Sequence, residues 1–326
     1  MRMTSDSPHL PLGDNKASAW YGRHILKVGQ FTREDVDTIH GVAAQMQEMV
    51  KRTGGSDLLK GKILASMFYE PSTRTSCSFM AAMQRLGGQV IPINEAKSSS
   101  VAKGESIADT AITLGCYADA MVIRNPTVGS ADIAAANAGI PVLNAGDGVG
   151  EHPTQALLDT FTMRQELGRL DGLTVTLVGD LKNGRTVHSL ARLLTRFDDV
   201  KLNYVAPESL QMPQDVMDEV GAAGVPQTLC GQPDEVIAGT DVLYVTRIQQ
   251  ERFATPEEYE EVKGVYIISP ETLKPARDDM IVLHPLPRVN EITEDVDADP
   301  RAAYFRQMEY GMYVRMALLA LVLGRA

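Results

Sequence analysis

The sequence predicts an α/β protein of two doubly wound parallel-sheet domains linked by helices, with a C-terminal helix that returns to the first domain. Three observations predict it. Short β-rich runs alternate with helical segments along the chain. The 326 residues suit two domains of ordinary size, or one large one. A hydrophobic content of 44% against 22% charged residues provides enough apolar mass for real cores.

The elements follow in order. Residues 1–20 are polar, with Pro8, Pro11 and Gly13, and predict a disordered tail or a linker from a longer polypeptide. They lack the apolar stretch of a signal peptide. A helix is expected over 32–51, with Thr32 as its N-cap and Asp35 near the positive end of its dipole. Strand runs follow at 63–68, 90–93, 120–123 and 141–144, with helices over 72–86, 104–116 and 130–138 between them. This is the first domain, assigned to 21–153 plus the last helix at about 309–326. The second, 154–308, opens with a helix over 154–167. Its strand runs are 174–179, 201–205, 241–245, 265–268 and 280–283, and its helices 185–196, 213–223, 233–238 and 256–262. A long amphipathic helix is expected over 303–323.

Charge and composition exclude several functions. The net charge is −11 with no basic stripe, so nucleic acid is an unsuitable partner. No apolar run approaches the roughly 18–20 residues that span a bilayer. The most apolar stretch, 316–323, is short and lies between Arg315 and Arg325. Cys77, Cys116 and Cys230 are odd in number and widely spaced, which points to a reducing compartment such as the cytoplasm and away from structural zinc. The six histidines lack metal-ligand spacing, and neither a metal nor a cofactor is expected.

An acidic chain that binds anions must gather its arginines at one place. Ser72-Thr73-Arg74-Thr75 follows a buried strand and a proline turn and opens a helix. Free N–H groups, hydroxyls and one guanidinium converge there, which suits a phosphate; an ordinary Ser/Thr cap beside a solvated arginine remains open as the plainer reading. A glycine-rich loop, 144–151, then leads into His152 and Gln155. They lie three residues apart on the first turn of a helix, where imidazole and amide can together polarise a carbonyl; a histidine that only caps or packs is the alternative. Arg124, Arg185, Arg247 and Arg288 each follow a strand run, as Arg74 does. In open α/β sheets the ligand crevice lies beyond the strand C-termini, and a guanidinium fork matches phosphate and carboxylate. The expected target is one phosphate plus one or more carboxylates. There is no P-loop, dinucleotide fingerprint or serine elbow.

Ser72-Thr73-Arg74-Thr75, His152-Pro153-Thr154-Gln155 and His284-Pro285-Leu286-Pro287-Arg288 together resemble the aspartate/ornithine carbamoyltransferase family, from about Gly22 to Arg325. The aspartate branch is the nearer. Residues 180–189 and 299–306 look most like the corresponding domain of the eukaryotic multifunctional pyrimidine-synthesis proteins. The resemblance implies transfer of the carbamoyl group of carbamoyl phosphate to L-aspartate, the committed step of pyrimidine (UMP) synthesis. It implies that Ser72, Thr73, Arg74 and Thr75 hold the phosphate. Arg124, His152 and Gln155 would bind the carbamoyl group, and Thr75 and Arg124 would reach its oxygen. Arg185, Arg247 and Gln249 would bind aspartate, and the backbone of Leu286 and Pro287 would meet the carbamoyl and attacking amines. Ser99 and Lys103 would enter the neighbouring subunit's site, Lys103 serving both substrates there, which implies a homotrimer. Ser76, Asn125 and Gln250 depart from residues common in the family. An ornithine-specific enzyme, or an assembly domain without activity, are the competing readings; Arg247 and the intact set of site residues weigh against them.

Overall fold

The computed structural model describes residues 12–94, 104–148, 150–250, 253 and 255–326. The chain divides into two compact units. One comprises the described residues up to Leu158 together with Met308–Ala326; the other is Asp159–Gln307.

The first unit holds a parallel sheet of β1 (Ile63–Phe68), β2 (Gln89–Asn94), β3 (Ala120–Asn125) and β4 (Val142–Asp147), in the order β2-β1-β3-β4. β1, β3 and β4 are buried almost throughout, as expected of strands covered on both faces. Helices α1 (Arg33–Thr53), α2 (Thr73–Arg85), α3 (Ile107–Gly115) and α4 (Ser130–Asn137) belong to this unit. The α1 N-terminus is closed reciprocally: Thr32 Oγ1 accepts the Asp35 N–H at 3.2 Å and the Asp35 carboxylate accepts the Thr32 N–H at 3.2 Å.

The second unit holds β5 (Thr174–Val178), β6 (Lys201–Val205), β7 (Gln227–Cys230), β8 (Val242–Val245) and β9 (Ile281–Leu283), all parallel, in the order β7-β6-β5-β8-β9. Its helices are α6 (Arg185–Leu194), α7 (Gln214–Ala222) and α8 (Pro256–Val262). Two longer helices, α5 (Pro153–Leu167) and α9 (Tyr304–Val322), carry the chain from one unit to the other. The part of α9 in the first unit packs on α2: Arg315 Nη1 donates to Ser78 Oγ at 2.8 Å, and its guanidinium lies 5.2 Å from the Phe79 ring centroid.

The fold departs from expectation in several places. Residues 13–20 are not a loose tail. Gly13 and Asn15 N–H donate to the carbonyls of Arg325 and Gly324 at 2.9 and 2.8 Å, and Trp20 is buried. Helix α9 is not amphipathic over its second half, since every residue from Tyr313 to Val322 is buried. Residues 265–268 form no named strand. Tyr266 and Ile268 are buried in alternation with exposed Val265 and Ile267, but the segment finds only one bridge, Ile268 to Ile292. The short strand β7 was not expected, its two middle residues being exposed. Residues 233–238 form two short 3-10 turns, split at Val236, in place of one helix.

Two features fix the loop after β5. Gly179 has φ +118, and a Cβ there would lie 2.2 Å from the Thr246 carbonyl oxygen. On α6, His188 Nε2 lies 2.7 Å from the Leu181 carbonyl, which can only accept, so the ring donates. Burial pushes the His188 imidazole below the ordinary histidine value, outweighing the opposite pull of the Leu181 bond.

Two outcomes follow. Gly179→Ala is expected to destabilise the protein by on the order of 3 kcal/mol, read as a lowered urea midpoint; an unchanged midpoint contradicts the close approach. The His188 value is depressed on folding, so its stabilisation is present above about pH 6.5 and is lost as the pH falls through the folded value. Thermal unfolding from pH 8 to 5 should therefore show wild type losing ground to His188→Gln, which keeps a donor for Leu181 but does not titrate. Parallel curves for the two proteins contradict the assignment.

Candidate functional site

The order β2-β1-β3-β4 reverses direction between β1 and β3, and that is where ligands bind in open parallel sheets. Phe68, the last residue of β1, pairs with Arg124 in β3. The strand ends there, Glu70-Pro71 turns the chain, and α2 starts at Thr73. Ser72 occupies the N-cap position, yet its side chain makes no capping hydrogen bond; its carbonyl alone accepts the Ser76 N–H, at 3.0 Å. The hydroxyl is not spent on the cap that the plainer reading assigns it. Thr75 is buried, while Thr73 is exposed and Arg74 partly so. Arg124 is 12% exposed, pairs with Glu70 at 2.8 Å and donates to the Ala145 carbonyl at 3.2 Å. It is thereby tied both to the turn before α2 and to the end of β4.

The loop after β4 is organised by Asp147. Its Oδ2 accepts the Gly129 N–H at 2.9 Å, while Oδ1 accepts the Glu151 N–H at 2.8 Å and Asn144 Nδ2 at 3.3 Å. Gly148 passes so close to Pro126 that a Cβ would lie 2.5 Å from its carbonyl oxygen. This wrapped turn delivers His152 and Gln155, both buried, to the first turn of α5, where the His152 carbonyl accepts the Gln155 N–H at 3.0 Å. The first unit thus carries Ser72, Thr73, Arg74 and Thr75 after β1, Arg124 as the penultimate residue of β3, and His152 and Gln155 after β4. Hydroxyls and a guanidinium at the open start of α2 are groups that suit a tetrahedral anion, and an imidazole near an amide suits a carbonyl.

In the second unit the order reverses between β5 and β8, and the pattern repeats. Val178 pairs with Val245, and the Thr246 N–H donates to the Val178 carbonyl at 2.8 Å. Arg185 is the first residue of α6, and Arg247 lies two residues beyond β8. Fully buried Asp180 joins the two loops: it accepts the Asn183 N–H at 3.0 Å and the Gln249 N–H at 3.4 Å. The Gln249 amide nitrogen donates to the Asn183 carbonyl at 3.2 Å. Two partly exposed arginines on these two loops suit a ligand with carboxylates. A cavity of about 130 Å³ beside Arg247 is lined by Thr246, Tyr259, Lys263, Tyr266 and Glu291, among others.

Arg288 does not join these arginines as an anion ligand. Its guanidinium grips the Asp297 carboxylate with both nitrogens, the second at 2.6 Å, and Nη1 donates to Tyr304 Oη at 3.2 Å. That bidentate bond holds the Asp297 carboxyl below its usual value. Leu286 and Pro287 lie in the turn after β9, with Leu286 at φ +54. Ser99 and Lys103 lie outside the described residues. Among the described residues no group of three or more His, Cys, Asp or Glu is placed to hold a metal ion, and no helix is long and apolar enough to cross a membrane. The loop-shaping carboxylates Asp147, Asp180 and Glu70 carry no motif of their own; only their position next to a strand end marks them.

Both units resemble known proteins. Residues 23–165 match the carbamoyl-P binding domain of aspartate/ornithine carbamoyltransferase, and residues 171–322 match the Asp/Orn binding domain. The chain is 60% identical over 303 residues to the multifunctional protein pyr1-3 of Dictyostelium discoideum, covering 93% of this chain and 14% of that protein. The chain therefore spans about a seventh of the multifunctional relatives it matches. It is 51% identical over 305 residues to the aspartate carbamoyltransferase catalytic subunit of Thermococcus kodakarensis, covering 94% of this chain and 98% of that one. Among solved structures, aspartate transcarbamoylase from Trypanosoma cruzi in complex with N-(phosphonacetyl)-L-aspartic acid superposes with a TM-score of 0.89 at 46% identity, over 94% of this chain and 97% of that one. With both halves matched in order, the chain belongs to the aspartate/ornithine carbamoyltransferase family.

Proposed function

We propose that this chain is an aspartate carbamoyltransferase, converting carbamoyl phosphate and L-aspartate to N-carbamoyl-L-aspartate and phosphate in pyrimidine synthesis. The observation that carries the reading is the pair of built sites, each at the switch point of its own sheet. The groups at one suit a phosphate with a carbonyl, and those at the other suit carboxylates. Proteins of the same family have been crystallised with carbamoyl phosphate and aspartate, and with carbamoyl aspartate and phosphate.

In this reading Ser72, Thr73, Arg74 and Thr75 hold the phosphate together with the first N–H groups of α2. Arg124, His152, Gln155 and Thr75 surround the carbamoyl oxygen. Arg185, Arg247 and Gln249 hold the aspartate carboxylates. The deprotonated aspartate amine attacks the carbamoyl carbon, and negative charge develops on the oxygen facing Arg124 and His152. The C–O bond to phosphate then breaks, and Arg74 with the α2 N-terminus takes up the dianion. Attack by the amine itself makes a protein nucleophile unnecessary. Much of the acceleration comes from holding two anions in register. Arg247 favours a dicarboxylate over ornithine, whose side chain is cationic. The backbone of Leu286 and Pro287 meets the carbamoyl and attacking amines. Ser99 and Lys103 serve the neighbouring site of a homotrimer, and the enzyme works in the cytoplasm, as one domain of a longer polypeptide as in its multifunctional relatives.

Three variants test the assignment. Arg74→Ala should lower kcat by about 10²–10³-fold, the usual cost of one transition-state donor, with little change in melting temperature. Arg247→Gln should raise KM for aspartate while inorganic phosphate still raises the melting temperature. An Arg247→Gln enzyme with unaltered aspartate KM removes the carboxylate role. Arg74→Ala mixed with Lys103→Ala should regain part of the activity that each variant lacks; mixtures as inactive as the parents count against a shared site.

A further inference from the structure

A buried hydrogen-bonded chain in the second unit ends on the backbone of Leu286. Asp159 accepts the Tyr244 hydroxyl at 2.9 Å and Gln307 Nε2 at 2.7 Å. Gln307 Oε1 accepts the His284 N–H at 3.0 Å. The His284 ring lies 2.7 Å from Glu291 Oε1 through Nε2, and 2.7 Å from the Leu286 N–H through Nδ1. Glu291 Oε2 accepts the Val289 and Asn290 N–H groups, both at 3.1 Å. Asp159, Tyr244 and Gln307 are fully buried, and His284 is 1% exposed. Asp159 and Gln307 are also the residues at which the chain enters and leaves this unit.

Donor and acceptor roles along this chain are forced. One carboxylate takes the tyrosine O–H and the amide N–H, so Gln307 can only turn its oxygen to His284. A backbone N–H can only donate, so Nδ1 of His284 carries no proton and Nε2 carries it toward Glu291. Leu286, at φ +54, occupies the left-handed region that a branched side chain rarely adopts. Its N–H bond to the imidazole holds it there.

We propose that His284 is a positioning residue: as the Nε2–H tautomer, gripped by Glu291 and by the Asp159–Gln307 pair, it fixes the Leu286 peptide so that the Leu286–Pro287 backbone meets the reacting amine. The inference rests on the function proposed above. It adds a requirement for one tautomer of a residue that touches no substrate.

The test is the ring 15N signals of His284 together with steady-state rates. Wild type should show Nε2 protonated and Nδ1 bare. In Glu291→Gln the two backbone N–H groups claim the amide oxygen, so the NH2 faces the imidazole and drives its proton to Nδ1, against the Leu286 N–H. Its kcat should fall about a hundredfold, the cost of a misplacement near 1 Å, while inorganic phosphate still raises its melting temperature. His284→Asn, whose oxygen replaces Nδ1 as acceptor, should keep kcat within about tenfold of wild type, roughly the loss of one hydrogen bond. His284→Gln, whose amide replaces Nε2, should be as slow as Glu291→Gln. A wild type with Nδ1 protonated, a Glu291→Gln with normal kcat, or equally slow Asn and Gln variants would each overturn the proposal. The tautomer decides even where a variant fails to fold. A wild type without carbamoyl transfer sinks the functional reading, and this inference with it; a fast wild type with the wrong tautomer sinks this inference alone.

Discussion

The site of the first unit depends on one pairing: Phe68 beside Arg124, in parallel register, where the strand order reverses. A parallel sheet sends every strand end to the same edge, and crossover helices begin there with unsatisfied N–H groups. At a reversal the two neighbouring loops run to opposite faces and leave an opening between them. The turn into α2 and the Arg124 side chain share that opening, and the 2.8 Å pair between Glu70 and Arg124 ties one to the other. The same constraint places Arg185 and Arg247 after β5 and β8 in the second unit. Two separate sheets therefore carry arginines at their switch points for the same topological reason.

Net charge then becomes intelligible. The chain carries 42 acidic against 31 basic residues, yet arginines stand at both switch points. Some of the carboxylates shape the loops beside them. Asp147 gathers the N–H groups of Gly129 and Glu151, and Asp180 those of Asn183 and Gln249. Each closes a loop by accepting from backbone, so the loop holds its form without a covalent link. In the function proposed above, an acidic surface repels the anionic substrates at long range and leaves affinity to short-range, oriented contacts.

Much of this was legible in the sequence, because its signals are local. A strand that ends in a proline turn, then hydroxyls and an arginine at a helix start, announces an anion site; so does an arginine two residues past a strand. The signals misled where a partner distant in sequence decides the outcome. Arg288 has the right position after β9, but Asp297 and Tyr304 claim its guanidinium. Residues 265–268 alternate like a strand, but a ladder needs a partner and only Ile292 is offered. The Tyr244–Asp159–Gln307–His284 chain joins four segments up to 148 residues apart, and no spacing in the sequence brings them together. The motifs named the candidate site residues, and the structure adds those that hold their loops.

In the proposed function the first unit delivers a carbamoyl group and the second selects a dicarboxylate amine. The most direct measurement offers the protein labelled carbamoyl phosphate with equal concentrations of aspartate and ornithine, and follows both the carbamoylated amino acid and free phosphate. N-carbamoyl-L-aspartate and phosphate are expected in equal amounts, with carbamoyl-ornithine a trace. Carbamoyl-ornithine in excess, or phosphate released without any carbamoylated amino acid, would contradict it.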